Sequence, residues 1–144
     1  MPLYSIALVI SQLSLIILIM WNGKLVHWDI PSLSIQFLGI FVALWGVFSI
    51  RIGNFNIQPE VKAENLVTKG IFSVLRNPMY TGIILLFLPT ILKAHSALMW
   101  IYYALLVTVL ILKIYREEIF LQEKFGEVYS LYKARTWRIL PYIF

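Results

Sequence analysis

Residues 2–21 read PLYSIALVISQLSLIILIMW, a run of 20 residues without a charged side chain. At about 1.5 Å of rise per residue, a helix of this length is about 30 Å long, which matches the hydrocarbon thickness of a bilayer. The run is too long for the core of a signal peptide, and no Lys or Arg precedes it. We therefore predict a retained transmembrane helix at the start of the chain.

The composition also indicates a membrane protein. Of the 144 residues, 60% are hydrophobic and 13% are charged, whereas soluble domains are about 45–50% apolar and about 25% charged. A soluble fold of this size has too little interior to bury so much apolar surface. The chain has no cysteine, which excludes disulfides, thiolate nucleophiles and cysteine-bound metals. Its net charge of +5 is attributed to membrane topology, and we expect no nucleic-acid partner.

Three further apolar stretches follow, at residues 31–50, 79–92 and 96–114. The last two form either a helical hairpin or one bent pass kinked near Pro89. A hairpin places ten basic residues on one side of the membrane and only Lys24 and Lys93 on the other. Because cytoplasmic loops are enriched in Lys and Arg, this count favours the hairpin, with both chain ends in the cytoplasm.

From Lys113 onward the chain has an amphipathic pattern. Its stripe consists of Lys113, Glu117, Leu121, Phe125, Val128 and Tyr132. Such a helix lies on the cytoplasmic surface or packs under the hairpin. The predicted fold is an all-α, multi-pass membrane helical bundle of about four transmembrane helices plus this amphipathic helix. We divide it into two N-terminal helices, 1–50, and a core, 51–144.

The entry to the third apolar stretch, Arg76 to Tyr80, is the first candidate for chemistry. Asn77 suits an N-cap and Pro78 suits a first helical position, which is the structural interpretation. The functional interpretation is an anion site at a helix start. The Arg76 guanidinium would donate two parallel hydrogen bonds to the anion, and Tyr80 would line the same site. Arg76 could equally extend to the membrane interface, and the sequence leaves both interpretations open.

The pair Glu117-Glu118 is the second candidate. Glu117 lies on the stripe that we expect to be buried, where a carboxylate needs a partner or a function. Lys113 is one turn earlier and is a possible partner, whereas Glu118 is expected to be solvated. The two histidines, His27 and His95, stand in separate loops with few acids nearby, so we expect no metal site.

Two blocks of sequence together resemble a known enzyme family. The first contains Asn54-Phe55-Asn56, Gln58, Leu66-Val67-Thr68-x-Gly70-Ile71-Phe72 and Arg76-Asn77-Pro78-Met79-Tyr80-Thr81-Gly82. The second contains Glu117-Glu118 and Phe125-Gly126-Glu127-x-Tyr129-x-x-Tyr132. Over about residues 50–141 the chain resembles the isoprenylcysteine carboxyl methyltransferases and the related phospholipid methyltransferases.

The resemblance implies an integral membrane methyltransferase that uses S-adenosylmethionine. The cofactor contacts that it implies are Gln58, Glu64, Asn65, Leu66, Val67, Phe72, Asn77, Pro78, Met79, Tyr80 and Glu117. Arg76, Lys113 and Arg116 are the candidates for orienting an anionic methyl acceptor. Lys113 stands where eukaryotic members carry Arg, at a position linked to substrate.

The acceptor is expected to be lipophilic and to enter from the bilayer, with the active site facing the cytoplasm. An isoprenylcysteine-like carboxylate is one candidate acceptor, and a phosphatidylethanolamine-type lipid is another. A carboxylate is already ionised, whereas an amine or a thiol must lose a proton, and the sequence shows no convincing base for that step. A non-catalytic membrane subunit is the alternative from a different functional class.

Overall fold

The computed structural model describes residues 2–53 and 66–144, and in addition it leaves out the side chains of residues 51–53. Three predicted site residues, Gln58, Glu64 and Asn65, lie outside the described residues, as does the motif at 54–56. The described residues form helices α1 (Leu3–Asn22), α2 (Ile30–Gly53), α3 (Pro78–Ala94), α4 (Ala97–Phe125) and α5 (Glu127–Ala134), and a 3₁₀ turn at Gly70–Ser73.

Helices α1, α2 and α4 are long and apolar enough to cross a membrane, and α3 is a shorter apolar helix. The predicted all-α membrane bundle is therefore confirmed. The hairpin is confirmed as well, because α3 and α4 are antiparallel and the Tyr103 hydroxyl donates a 2.8 Å hydrogen bond to the Ile84 carbonyl. The alternative of one bent pass is wrong, because α3 continues through Pro89 and the chain reverses at His95, whose φ is +47°.

Small residues let α2 and α3 approach closely. A Cβ atom on Gly82 would lie 2.6 Å from the Gly39 carbonyl oxygen, and one on Gly46 would lie 2.7 Å from Pro78 Cγ. Real Cβ atoms do not come so close to a neighbour, so α2 can pack in this way only if these positions are glycine. Gly82, the last residue of the first motif block, thus permits close backbone approach, with helix α2 as the neighbour.

Helix α1 packs against α4, and together with α3 these helices enclose the apolar core. Ile19, Ile91, Leu106 and Leu110 are fully buried in this core. Since α2 packs on α3, the helices are arranged in the spatial order α2–α3–α4–α1. One end of the bundle contains the start of α3 and helix α5, and we call it the α5 end. The opposite end, with the 23–29 and 95–96 loops, is the loop end.

The predicted stripe from Lys113 to Tyr132 is wrong as one continuous face. Helix α4 ends at Phe125, and the chain turns at Gly126, whose φ is +54°, before α5 begins. Val128 is 62% exposed although the stripe requires it to be buried. The buried stripe of α4 consists of Met99, Tyr103, Leu106, Leu110, Ile114 and Glu118. The predicted amphipathic helix is therefore the short α5, which buries Tyr129 and Tyr132.

Candidate active site

Tyr80 and Glu117 meet at the α5 end of the bundle. Pro78 starts α3, so Tyr80 lies in its first turn, and antiparallel α4 brings Glu117 opposite. The Tyr80 hydroxyl donates a hydrogen bond of 2.5 Å to Glu117 Oε1. Both residues are half-buried. The pair therefore combines an aromatic face and a carboxylate, which are the two groups that attract a cation in an apolar setting.

Lys113 adds a cation to the pair. Its Nζ lies 5.1 Å from the centroid of the Tyr80 ring, and it stands one helical turn before Glu117. It also donates a 2.7 Å hydrogen bond to Oε1 of Gln12, near the middle of α1. Three helices thus contribute to one polar cluster, consisting of Gln12, Tyr80, Lys113 and Glu117.

The sequence prediction missed Gln12 as a member of this cluster. The signal was present, because Gln12 is the one amide side chain in the apolar run at 2–21. Polar side chains inside a membrane segment tend to face the bundle interior and to find partners there. The identity of its partner, Lys113, depends on the packing of α1 against α4 and is 101 residues away in sequence.

Glu118 is buried and paired, so the expectation that it is solvated is wrong. It is 6% exposed. Its Oε1 accepts hydrogen bonds from Arg76 Nε at 3.1 Å and Arg138 Nε at 3.0 Å, and its Oε2 accepts one from the second arm of Arg138 at 3.1 Å. Two arginines thus hold one carboxylate, because the buried face of α4 passes through Glu118.

Arg76 has a structural role in this arrangement. Its side chain is 8% exposed, and besides Glu118 it binds the carbonyl oxygens of Lys133 at 3.0 Å and Thr136 at 2.6 Å. The guanidinium is therefore occupied by acceptors within the protein. The prediction that Arg76 orients a methyl acceptor gains no support from these contacts, and the interpretation that it extends to the interface is wrong.

The segment after α5 lies against the entry to α3. The backbone N–H groups of Arg76 and Asn77 donate to the carbonyls of Trp137 at 2.7 Å and Arg138 at 3.2 Å. The Thr81 hydroxyl donates to the carbonyl of Ile139 at 2.8 Å. These bonds fix the first turn of α3, and with it Tyr80, against the carboxyl-terminal segment.

Asn77 occupies the predicted N-cap position, but its side chain makes no capping hydrogen bond. Its amide instead donates to the Arg138 carbonyl at 3.1 Å, so the expected cap geometry is wrong in this detail. The carbonyl competes successfully because the carboxyl-terminal segment passes directly over the helix start. Pro78 is confirmed as the first helical residue and is buried against Gly46.

The remaining predicted residues are distributed around the cluster. Leu66 and Val67 are half-buried before the 3₁₀ turn, and Phe72 is buried, with its carbonyl accepting a 2.7 Å hydrogen bond from the Tyr132 hydroxyl. Met79 faces α2 near Gly46. The guanidinium of Arg116 lies 4.9 Å from the Tyr4 ring centroid, at the start of α1. Of the predicted set, the contacts join Tyr80, Lys113 and Glu117 most directly.

The Glu118 carboxylate also affects the pKa values of its neighbours outside the helical spans. The hydrogen bond to Glu118 raises the pKa of Arg138, which therefore stays charged. Burial, and next the Glu118 charge, raises the pKa of Tyr129 to about 12, so its hydroxyl stays protonated at neutral pH.

Within residues 2–53 and 66–144, no group of three or more His, Asp and Glu residues converges into a metal site.

Comparison with known proteins gives one family. A family model described as phospholipid methyltransferase matches residues 3–128. No curated protein and no solved structure matches the chain. The matched region extends from the start of α1 into α5 and contains Gln12, Tyr80, Lys113 and Glu117.

Proposed function

The chain belongs to the phospholipid methyltransferase family and is a membrane methyltransferase, and from this premise we propose that it uses S-adenosylmethionine to methylate a lipid. The cofactor and the acceptor meet at the cluster of Gln12, Tyr80, Lys113 and Glu117. The observation that carries the proposal is the pairing of Tyr80 with Glu117, at 2.5 Å, beside Lys113.

The chemistry of these side chains fits the cofactor. Glu117 contrasts with Glu118, because the neutral Tyr80 hydroxyl is its hydrogen-bond donor among the described residues, whereas two arginines neutralise Glu118. A half-buried carboxylate beside an aromatic ring suits an ammonium or sulfonium group, and the carboxylate also suits ribose hydroxyls. When bound, S-adenosylmethionine supplies a methyl group activated by its positively charged sulfur.

Tyr80 and Glu117 thus form the centre of the proposed cofactor site. We further propose that residues 64–67 and 77–79, with Gln58 and Phe72, complete it, following the resemblance described above. Helix α3 presents Tyr80 at a fixed position because the carboxyl-terminal segment holds the helix start. Positioning of this kind, with exclusion of water, is the main contribution that a protein makes to an in-line methyl transfer.

Lys113 is the proposed anchor of the acceptor. Its ammonium group lies on the same side of Tyr80 as α1, where it is held by Gln12. An ammonium at this depth attracts the phosphate or carboxylate of a lipid that enters between helices. Arg116, at the Tyr4 ring, is a second candidate for contact with the acceptor headgroup.

A phospholipid amine is the acceptor that we favour. Its phosphate group satisfies Lys113, and the description of the matching family names phospholipids. Its amine must lose a proton before it attacks, and we propose the Glu117 carboxylate as the acceptor of that proton. A prenylcysteine carboxylate is the second candidate, because Lys113 would bind it directly. In keeping with the excess of basic residues at the α5 end, we propose that this end faces the cytoplasm.

Methyl transfer from labelled S-adenosylmethionine to defined lipids tests the proposal. Purified protein is reconstituted with phosphatidylethanolamine, with a prenylcysteine carboxylate, or with phosphatidylcholine, which has no free amine to methylate. Label in phosphatidylethanolamine that is lost in Glu117→Gln and kept in Glu123→Gln supports the phospholipid assignment. Label in the prenylcysteine alone would move the assignment to the carboxylate. A folded protein that labels no lipid, and binds no cofactor, would contradict the enzyme proposal.

A further inference from the structure

A cavity of about 200 Å³ lies at the loop end, between the end of α1, the end of α3 and the start of α4. Tyr80 and Lys93 stand 13 residues apart on α3, which corresponds to about 20 Å along a helix. The cavity is therefore separate from the proposed methyl-transfer site. Its lining includes Lys24, His27, Thr90, Lys93, Ser96 and Met99.

The side chains that line the cavity carry a net positive charge. Lys24 and Lys93 both contribute to it, and the Lys93 ammonium also forms an ion pair with Asp29. That pairing holds the pKa of Asp29 well below its usual range, so the carboxylate stays charged and offsets one lysine. One ammonium charge, that of Lys24, remains in excess at the cavity.

His27 provides a polar atom that the described residues do not satisfy. Its Nε2 is buried and has no hydrogen-bond partner within the described parts of the chain. A buried nitrogen without a partner is costly, so this atom suits a ligand that can form a hydrogen bond with it. The hydroxyl of Thr90 is in contrast satisfied, because it donates to the Lys24 carbonyl at 3.1 Å.

The start of α4 borders the same cavity. Ser96 is the N-cap residue but makes no side-chain capping bond. The first backbone N–H of α4 that bonds within the described helix start is that of Trp100, to the Ser96 carbonyl. Leu98 and Met99, which stand before Trp100 in the first turn of α4, line the cavity. Lysine, a buried imidazole nitrogen and the start of a helix together favour an oxyanion with several acceptor oxygens.

Tryptophan side chains mark the depth of the cavity in the membrane. Trp21, Trp28 and Trp100, all at the loop end, are 86%, 80% and 46% exposed. Exposed tryptophans are enriched where the bilayer meets water, at the level of the lipid headgroups. The volume is below the roughly 300–1,000 Å³ of pockets for drug-sized ligands, so it admits a headgroup and excludes acyl chains.

We propose that this cavity binds the phosphate group of an anionic phospholipid in the leaflet opposite the methyl-transfer site. The lipid phosphate pairs with Lys24 and accepts a hydrogen bond from His27. It thereby joins the loop between α1 and α2 to the turn between α3 and α4. This lipid has a structural role and is not a substrate, because its headgroup lies at the far end of the bundle from Glu117.

Thermal unfolding of the purified protein in neutral detergent tests the proposal. Phosphatidylglycerol is titrated into the wild type, Lys24→Gln, His27→Phe and the control Lys124→Gln, which removes the same charge from an exposed position near the α5 end. We expect saturable stabilisation of the wild type and the control, with half-saturation raised at least about tenfold in Lys24→Gln and His27→Phe. Phosphatidylcholine, whose own ammonium offsets its phosphate charge, and inorganic phosphate, which has no acyl chains to hold it at headgroup level, are added in parallel and are expected to have little effect.

Three results would overturn the proposal: an unchanged half-saturation in Lys24→Gln or His27→Phe, equal stabilisation by phosphatidylcholine or inorganic phosphate, or no stabilisation of the folded wild type. The test is independent of the methyltransferase proposal. Glu117→Gln should retain the response to phosphatidylglycerol, and Lys24→Gln should retain cofactor binding. Failure at one site is therefore distinguishable from failure at the other.

Discussion

The hydroxyl of Tyr80 donates a 2.5 Å hydrogen bond to Glu117, and this bond joins the first turn of α3 to α4 at the α5 end of the bundle. The neighbouring carboxylate of Glu118 points instead into a clamp of Arg76 and Arg138. Two adjacent acids on one helix thus have different environments. We infer that Glu117 serves the ligand and that Glu118 maintains the fold.

Changing Glu117 or Glu118 to glutamine is expected to affect different properties, namely cofactor binding and stability. Glu118→Gln leaves Arg76 and Arg138 with no carboxylate in a buried site, which should lower the free energy of unfolding by about 3–5 kcal/mol. Glu117→Gln should leave the unfolding midpoint nearly unchanged and remove cofactor binding. Thermal unfolding and binding measured on the same preparations check both. Equal loss of stability in the two variants would contradict the separation of roles.

The Tyr80 hydroxyl and ring can be tested separately. Tyr80→Phe keeps the ring and removes the donor to Glu117, so cofactor affinity should fall by about tenfold, as expected for loss of one hydrogen bond to a charged group. Tyr80→Ala also removes the aromatic face and should lower the cofactor affinity further. Tyr142→Phe, at a position that is 84% exposed, is the matched control. Equal affinity of Tyr80→Phe and Tyr142→Phe would show that the bond has no part in binding.

Lys113 and Gln12 are expected to act on the acceptor. Lys113→Met should raise the KM for the lipid by about tenfold or more and leave cofactor affinity nearly unchanged, because it removes the charge that holds the headgroup. Gln12→Leu should have the same effect to a smaller degree, since it only releases Lys113. Steady-state kinetics with varied lipid at saturating cofactor measure both. Ser14→Ala, at an exposed position on α1, serves as the control. A lower cofactor affinity with unchanged KM for the lipid would assign Lys113 to the cofactor instead.

The contact between α2 and α3 should be sensitive to the size of the side chain at position 82. In Gly82→Ala the new Cβ would lie 2.6 Å from the Gly39 carbonyl oxygen, so the helices must separate. The expected loss is about 1–3 kcal/mol of unfolding free energy, the usual effect of overpacking. Unfolding in detergent measures it, and Ala104→Val, at an exposed position on α4, is the comparison. If Gly82→Ala were as stable as the wild type, the close approach of the two backbones would be wrong.

The membrane architecture was predictable because it depends on local composition. Apolar runs of helix-spanning length identify α1, α2 and α4, and the basic residues favour the hairpin of α3 and α4. The approach of Tyr80 to Glu117 follows from that hairpin once its register is known. Pro78 and Gly82 also behave as their residue types suggest, one at a helix start and one at a close contact.

The error over Glu118 has a physical origin in long-range contacts. A stripe through Glu117 requires one helix through to Tyr132, whereas Gly126, with φ +54°, ends that helix. Glu118 is buried because Arg76 and Arg138 neutralise it, and these partners are 42 and 20 residues away in sequence. The pairing of Gln12 with Lys113 is equally invisible to periodicity, since it depends on which helices pack together.

The central claim is that Glu117 and Tyr80 bind S-adenosylmethionine, and calorimetric titration of the cofactor into the detergent-purified protein tests it most directly. We predict saturable binding by the wild type and by Glu123→Ala, whose carboxylate is exposed on the same helix. Glu117→Ala should not bind at the same concentrations. Binding by Glu117→Ala with wild-type affinity, or no binding at millimolar cofactor by the folded wild type, would contradict the account.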